Sequence, residues 1–220
     1  MKVVVLGATG TTGQLVIAEA LAKGYEVIAF VRRPDALQKT DGLTIVQGSV
    51  DNQDELQKCF SGADAVISCL GVRPSLRSLR HGSNLQRRTL PNIIEAINEA
   101  GVKRFILMSS FGSGETRKKA ALFIKVVLYS FLAKKMFDDK AIAEQSLSQC
   151  KANWTAVYPV TLSQSPAIPE SELVPLEKVR KVPGIPRLPF ANVARSLVNL
   201  IPEENYAGKK LLLTIPGCWR

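Results

Sequence analysis

The first thirteen residues carry the feature that most constrains how this 220-residue chain can fold. A short apolar run, residues 3–6, leads directly into a turn with three glycines, and the turn opens a helix. In such a turn the glycines permit a tight bend, a close approach of the backbone to a pyrophosphate and close packing of helix against strand. The helix N-terminus adds free N–H groups and positive potential. The turn therefore predicts a dinucleotide phosphate site formed by Gly7, Thr9, Gly10, Thr11, Thr12 and Gly13.

Apolar runs rich in β-branched residues alternate with helix-period segments along the rest of the chain. The runs are nearly continuous in hydrophobicity, which is typical of strands buried on both faces of a parallel sheet. They predict strands at residues 3–6, 27–31, 43–46, 65–70, 105–108, 155–158 and 211–214. Helices are predicted at residues 12–23, 51–60, 84–100 and 190–201. This alternation predicts an α/β fold of the Rossmann type, a doubly wound, mostly parallel sheet with helices on both faces.

The length favours one domain over residues 1–220. Residues 1–158 form the predicted dinucleotide-binding core. Seven prolines then punctuate residues 159–189, which excludes a long regular helix there. We expect residues 159–220 to form a small cap on the substrate side, closed by the last helix and strand.

Composition and charge exclude several classes of protein. Hydrophobic residues make up 46% and charged residues 22%, so the body is an ordinary globular protein. The four cysteines lie far apart, with no C-x-x-C pair, and predict neither a metal site nor disulfides. The net charge of +10 is scattered without a nucleic-acid-binding motif, so no nucleic acid is expected as a partner. The chain starts on a strand without a secretory leader, which favours the cytoplasm.

The residues after the second predicted strand bear on cofactor choice. An NAD-specific protein usually carries an acidic residue there, which bonds the ribose hydroxyls. This chain has Arg32 and Arg33 instead, and a guanidinium matches the geometry of a 2′-phosphate. The pair therefore predicts NADPH as the cofactor.

Six segments together resemble a known family. They are GATGTTGQ at residues 7–14, GSVDNQDEL at 48–56, DAVISCLG at 64–71, FILMSS at 105–110, DKAIAEQSL at 139–147 and WTAVYPVTL at 154–162. The chain resembles the atypical short-chain dehydrogenase/reductases of NmrA-like architecture, and within them the biliverdin-IXβ reductase and flavin reductase group. The resemblance implies that residues after successive strands surround the cofactor: Ser49 and Val50 at the adenine, Leu70 and Gly71 beneath the ribose and nicotinamide, Ser109 and Ser110 facing the reacting centre, and Pro159 and Val160 closing the nicotinamide pocket.

Ordinary members of this superfamily carry a Tyr-x-x-x-Lys pair that protonates a carbonyl. Here Lys140 matches the lysine, but Met136 stands in the place of the tyrosine. The missing phenol argues against routine alcohol–ketone chemistry, and the biliverdin-IXβ reductase group, in which the second proton is thought to come from solvent, shares this departure. On the same helix Glu144 lies four residues after Lys140, a spacing that suits an ion pair.

The resemblance implies hydride transfer from NADPH to a planar conjugated acceptor, a biliverdin-type linear tetrapyrrole or a flavin such as FMN. Ser110, Lys140 and Arg73 are the expected catalytic residues, with Arg73 contacting the acceptor. Two other functions stay open at this point: an NmrA-like redox sensor that binds NADP(H) without turnover, and an assembly factor on a Rossmann scaffold. The family resemblance also implies a monomer.

An apolar segment and a single histidine are the last two features of the sequence. Residues 118–135 form an apolar segment with basic ends, too short and too interrupted to span a bilayer. A lid combined with a packed core helix is the favoured interpretation, ahead of a membrane-surface helix or a partner surface. The single histidine, His81, is expected to be a surface residue.

Overall fold

The computed structural model describes residues 1–71, 84–121 and 134–220. For residues 134–136 it describes the backbone only. The strands are β1 (Lys2–Leu6), β2 (Glu26–Val31), β3 (Leu43–Gln47), β4 (Ala65–Ser68), β5 (Arg104–Met108), β6 (Asn153–Pro159), β7 (Thr161–Ser163), β8 (Glu172–Pro175), β9 (Arg187–Pro189) and β10 (Lys209–Thr214). The α-helices are α1 (Thr11–Ala22), α2 (Gln53–Phe60), α3 (Leu85–Ala100), α4 (Thr116–Lys119), α5 (Lys134–Ala143) and α6 (Phe190–Asn199).

Eight strands form one twisted layer in the order β3-β2-β1-β4-β5-β6-β10-β8. The neighbours pair in parallel up to β10, and β8 pairs with β10 antiparallel at the edge. Helices α1 and α6 pack on each other, and α2 packs on α3, which also contacts α5. This architecture confirms the predicted Rossmann-type, doubly wound, mostly parallel sheet. The order reverses between β1 and β4, where ligands bind in such sheets.

The central strands are buried on both faces. The four residues from Val3 to Leu6 are fully buried, as are those at 65–67 in β4 and at 105–106 in β5. This burial explains why their hydrophobicity is continuous instead of alternating. The predicted strand positions are confirmed, with ends that differ from the prediction by one or two residues.

The helix ends follow from local chemistry. Helix α2 begins two residues later than predicted because Asn52 is its N-cap, with the side-chain oxygen accepting from the backbone N–H of Glu55 at 3.3 Å. Glycines in the left-handed region follow the ends of α1, α2 and α3, as Gly24, Gly62 and Gly101 have φ of +73°, +68° and +68°. Such a φ strains any residue with a Cβ, so these glycines mark the ends of the helices.

The proline-rich region contains short extended pieces. Strands β7 and β9 form a separate two-stranded parallel sheet, and Leu176–Lys178 is a single 3-10 turn. The predicted absence of a long helix in residues 159–189 is correct. Strand β8 was not predicted, and it extends the main sheet beyond β10.

None of the helices in the described ranges is long and apolar enough to cross a membrane. Arg73 and His81, and most of the apolar segment 118–135, lie outside the described residues.

Candidate functional site

The glycine turn has a backbone that excludes side chains at two of its positions. Gly7 has φ of +75°, and a Cβ there would lie 2.7 Å from the carbonyl carbon of Cys69. A Cβ at Gly13 would lie 2.2 Å from the carbonyl oxygen of Gly7. The N–H of Gly10 donates to that same oxygen at 3.0 Å and closes the turn. The turn, β4 and the start of α1 are therefore packed backbone against backbone.

The N-terminus of α1 points its donors out of this turn. Gly10 is the N-cap and supplies no capping side chain. The helix begins its hydrogen bonding with the N–H of Gln14, which donates to the carbonyl of Gly10 at 2.9 Å. The N–H groups of Thr11, Thr12 and Gly13 precede that bond, as the first donors of a helix do. Such donors fit the phosphates of a dinucleotide, the group that the sequence predicts for this turn.

Further predicted cofactor residues follow β2 and β3 at the same edge of the sheet. Arg32 and Arg33 come directly after β2 and are exposed. Ser49 and Val50 come after β3 and are half-buried. The N–H of Ser49 donates to a carboxylate oxygen of Glu55 at 2.8 Å, so its backbone is fixed to the start of α2.

The chain after β4 is held by α3. The side-chain amide of Gln86 donates to the carbonyl of Leu70 at 2.6 Å. Gly71 is exposed, and a Cβ there would meet no atom within 4 Å, so packing does not require glycine at this position. The N–H groups of Gln86 and Arg87 donate to the buried carboxylate of Asp139, at 3.0 and 3.2 Å. Asp139 on α5 thus caps the first turn of α3.

The two adjacent serines after β5 point in different directions, as successive residues of an extended chain do. Ser109 is 3% exposed, and its hydroxyl donates to the carboxylate of Glu144 at 2.5 Å. Ser110 is half-buried, and its hydroxyl oxygen accepts from the ammonium of Lys140 at 2.6 Å. The fold therefore brings Ser110 and Lys140 together and turns Ser109 into the interior.

Burial of the Lys140 amine lowers its pKa to about 8, while the negative charges of Glu144 and Asp139 act in the opposite direction. An amine with this pKa is mostly protonated at neutral pH and still able to release a proton. Met136, which the resemblance places at the position of a tyrosine, lies four residues earlier on α5.

Glu144 is a residue whose role the sequence indicated only in part. We expected it on the same helix as Lys140, one turn away, where the two side chains could interact, but α5 ends at Ala143 and Glu144 begins a 3-10 turn. Its carboxylate is turned toward hydroxyl groups, and the ion pairs within 4.0 Å in the described residues do not include one between Lys140 and Glu144. The two groups therefore interact through their charges and not through an ion pair in direct contact. Burial, reinforced by the charge of Glu144, raises the pKa of its partner Tyr158.

Pro159 and Val160 lie at the carboxyl end of β6, as predicted, and both are buried. The carbonyl of Pro159 accepts from the N–H of Phe111 at 3.0 Å, and the N–H of Val160 donates to the carbonyl of Leu213 at 3.0 Å. The carbonyl of Pro159 and the N–H of Val160 are therefore used to hold the loop after β5 and the strand β10. A cofactor would contact the side chains of the two residues or the carbonyl of Val160.

Taken together, the turn and the residues after β2, β3, β4, β5 and β6 line one edge of the sheet, with Lys140 reaching it from α5. A doubly wound sheet with such a turn at its first strand defines a dinucleotide-binding protein of the Rossmann type. A family model described as NAD(P)H-binding matches residues 7–204. The chain belongs to this NAD(P)H-binding family, which confirms the predicted nicotinamide dinucleotide.

Curated relatives include the photosystem II assembly factor Ycf39 of Synechocystis sp., which is 31% identical over 144 residues. That match covers 63% of this chain and 42% of the relative. The chain thus spans less than half the length of this assembly factor.

Solved structures match over nearly the whole chain. ChuY, an anaerobillin reductase from Escherichia coli, has a TM-score of 0.80 at 19% identity, with 99% of this chain and 98% of that chain covered. A short-chain dehydrogenase/reductase from Veillonella parvula, in complex with NADP, has a TM-score of 0.79 at 16% identity, with 100% and 96% covered. These likenesses show that the chain has the fold of these two proteins.

Proposed function

We propose that the chain is an NADPH-dependent reductase that adds a hydride and a proton to a planar conjugated acceptor, a linear tetrapyrrole or a flavin such as FMN. The observation that carries this proposal is the 2.6 Å hydrogen bond from Lys140 to Ser110 at the edge of the sheet that carries the glycine turn. NADPH, when bound, supplies the hydride from its nicotinamide C4.

The Lys140–Ser110 pair supplies the proton in this proposal. An ammonium can only donate, so the Ser110 oxygen accepts from Lys140 and keeps its own O–H for another partner. Ser110 passes that proton to the acceptor and receives one from Lys140, which is left as a neutral amine and recovers a proton from solvent. The hydride and the proton together reduce one conjugated bond by two electrons.

The pKa of Lys140, about 8, suits this role, because an acid works best when its pKa lies near the working pH. In this proposal the pair supplies the proton that a tyrosine at the position of Met136 would supply in ordinary members of the superfamily. Solvent is then the ultimate source of the proton, as the family resemblance implies.

The cofactor would be held by the glycine turn and the N–H groups at the start of α1, with Arg32 and Arg33 on the 2′-phosphate. Two exposed guanidinium groups after β2 favour NADPH over NADH because they match a phosphate in charge and geometry. The net charge of +10 likewise favours an anionic acceptor, and biliverdins and FMN are anionic.

A second function, dinucleotide binding without turnover in an assembly factor, is favoured by the match to Ycf39. The absence of the tyrosine suits this function as well. The two functions differ in one measurable property, since only a reductase consumes NADPH steadily.

The test is NADPH oxidation by the purified protein, followed at the nicotinamide absorbance, with a biliverdin and with FMN as separate acceptors. NADPH binding is measured in parallel by nicotinamide fluorescence. We expect the native protein to turn over and Ser110→Ala to lose most of this turnover. The matched control Ser148→Ala, whose hydroxyl is exposed on the 3-10 turn after α5, should keep native turnover. Tight binding without turnover for either acceptor would refute the reductase and support the assembly factor.

A further inference from the structure

We infer that Glu144 is a positioning residue, whose buried carboxylate fixes Ser110 in place and acts as the electrostatic partner of Lys140. This inference rests on the proposed function, in which Ser110 and Lys140 deliver the proton. It assigns a task to a buried acidic group that the proposed chemistry does not otherwise use.

The Glu144 carboxylate joins three parts of the chain. Its two oxygens accept from the hydroxyls of Ser109 at 2.5 Å, Ser113 at 3.3 Å and Tyr158 at 2.6 Å. Ser109 follows β5, Ser113 lies in the next loop and Tyr158 is on β6. All four residues are buried, with Glu144 itself 8% exposed. One carboxylate therefore ties the end of α5 to the ends of two adjacent strands.

These contacts lie on both sides of Ser110. The preceding residue, Ser109, is held through its hydroxyl. The single O–H of Ser113 is shared between the Glu144 carboxylate and the carbonyl of Ser110, which lies 2.9 Å from the Ser113 oxygen. The backbone of Ser110 cannot rotate without breaking this network. Because Lys140 lies four residues before Glu144, the same network fixes the end of the helix that carries the lysine.

The charge of Glu144 also acts on Lys140. The two residues line one small cavity of about 10 Å³ between α3, β5 and α5. In this buried setting the carboxylate favours the charged form of the amine, against the effect of burial. The carboxylate of Asp139 acts in the same direction, but it is engaged by two N–H groups of α3 and lies 3.9 Å from the guanidinium of Arg87.

The titratable groups on the elements packed around the pair include Arg87 on α3, Glu115 and Arg117 after β5, Tyr158 on β6, and Asp138, Asp139 and Glu144 with Lys140 itself. Burial raises the pKa of Tyr158, so this phenol stays protonated and serves Glu144 as a neutral donor. Arg117 lies 3.9 Å from Asp138, which balances its charge. Glu144 is therefore the carboxylate to remove if the charge state of Lys140 is to change.

The experiment is an NMR titration of the Lys140 side chain in the full chain carrying labelled lysine, with the signal assigned by its loss in Lys140→Arg. Glu144→Gln keeps the shape of the side chain and removes the charge. We expect the pKa of Lys140 to fall by about one unit in this variant, the low end of the effect of a nearby opposite charge. The matched control Tyr158→Phe removes one hydrogen bond, keeps the charge and should leave that titration in place.

An unchanged Lys140 titration in Glu144→Gln would overturn the inference. A shifted titration in a protein that binds NADPH but reduces no acceptor would uphold the electrostatic pairing and refute the proposed function, so the two failures are distinguishable. In an active protein, the pH above which kcat declines should move down with the titration, which a merely structural role would not cause.

A second variant covers the case in which Glu144→Gln does not fold. Glu144→Asp keeps the charge and shortens the side chain, so that it no longer reaches all three hydroxyls. The Lys140 titration should stay in place, while kcat falls by up to about a hundredfold with KM for NADPH unchanged, the cost of a misplaced catalytic group. Native kcat in Glu144→Asp would overturn the positioning role.

Discussion

A basic side chain is buried at each end of the sheet, and the two side chains have different hydrogen-bond partners. At the amino end Arg104, the first residue of β5, is 6% exposed. Its guanidinium donates to the carbonyl of Leu200 at 3.0 and 3.2 Å, to the carbonyl of Asn153 at 2.5 Å and to the hydroxyl of Thr155 at 2.8 Å. Arg104 thus ties the end of α6 to β6, and its donors end on atoms of the protein interior.

At the carboxyl end, Lys140 donates to a hydroxyl that keeps a proton of its own. The hydrogen-bonded chain from Lys140 passes through Ser110 and leads to the edge where the glycine turn lies. The comparison teaches that burial alone does not separate structure from chemistry. A buried charge whose partners are carbonyls stabilises the fold, whereas one whose partner can pass on a proton is a candidate for catalysis.

The largest effect is expected at the carboxyl end. Lys140→Met should lower kcat by about 10²- to 10⁴-fold, the usual contribution of an acid group, because Ser110 loses its proton source. The measurement is steady-state NADPH oxidation, with NADPH binding followed by fluorescence. Lys103→Met, at an exposed lysine next to Arg104, is the matched control and should keep native kcat. Native turnover in Lys140→Met would remove the distinction between the two ends.

At the amino end the effect should fall on stability. Arg104→Met should lower the free energy of unfolding by about 2–4 kcal/mol, because it removes the hydrogen bonds of a charged donor to the carbonyls of Leu200 and Asn153 and to the hydroxyl of Thr155. Urea unfolding measures this loss, and kcat of the folded variant should match that of the native protein. A variant of native stability with impaired turnover would reverse the roles assigned to the two ends.

The exposed arginines after β2 extend the comparison, because they are basic side chains at the carboxyl end that are not buried. Replacing both, as Arg32→Gln with Arg33→Gln, should weaken NADPH binding roughly ten- to hundredfold and leave NADH binding unchanged, because only NADPH has a 2′-phosphate for them. Fluorescence titration with each cofactor measures the change. Arg180→Gln, at another exposed arginine, serves as the control. Equal losses for both cofactors would contradict the assignment.

The smallest effect concerns pH. Burial lowers the pKa of Lys140 to about 8 and that of Arg104 to about 10. Only the protonated amine can donate, so kcat should be constant below pH 8 and fall about tenfold per unit above it. Arg104 stays charged over the same interval and should contribute no change. In Lys140→Arg the decline should move to higher pH, and an unmoved decline would show that another group causes it.

Sequence reasoning succeeded where a constraint is local. The glycines of the turn are required because a Cβ at Gly7 or Gly13 would collide with backbone, and such a requirement is visible in a window of seven residues. The strands were predicted from continuous apolar runs for a similar reason. Strand β8 was missed because it has only four residues and ends at Pro175, a composition that an edge strand tolerates but that carries no strand signal.

The proposed proton-delivery site could be predicted only in part. Ser110 and Lys140 were predicted through family motifs, but the direction of Ser109 depends on Glu144, 35 residues away in sequence. The spacing of Lys140 and Glu144 predicts one continuous helix, whereas α5 ends at Ala143 and a 3-10 turn begins at Glu144. Tyr158 looked like one more apolar position of a buried strand, since its hydroxyl finds its partner only in the folded chain.

The adjacency of Asp139 and Lys140 has a consequence for transplanting this site into another protein. Neighbouring residues of a helix point about 100° apart, so Asp139 is fixed to α3 while Lys140 reaches β5. The lysine is therefore aimed by a contact made on another side of its helix. A graft that copies Lys140 and Ser110 alone would lack the contact that orients the lysine. The smallest unit that can be moved includes Asp139 and the first turn of α3, with Gln86.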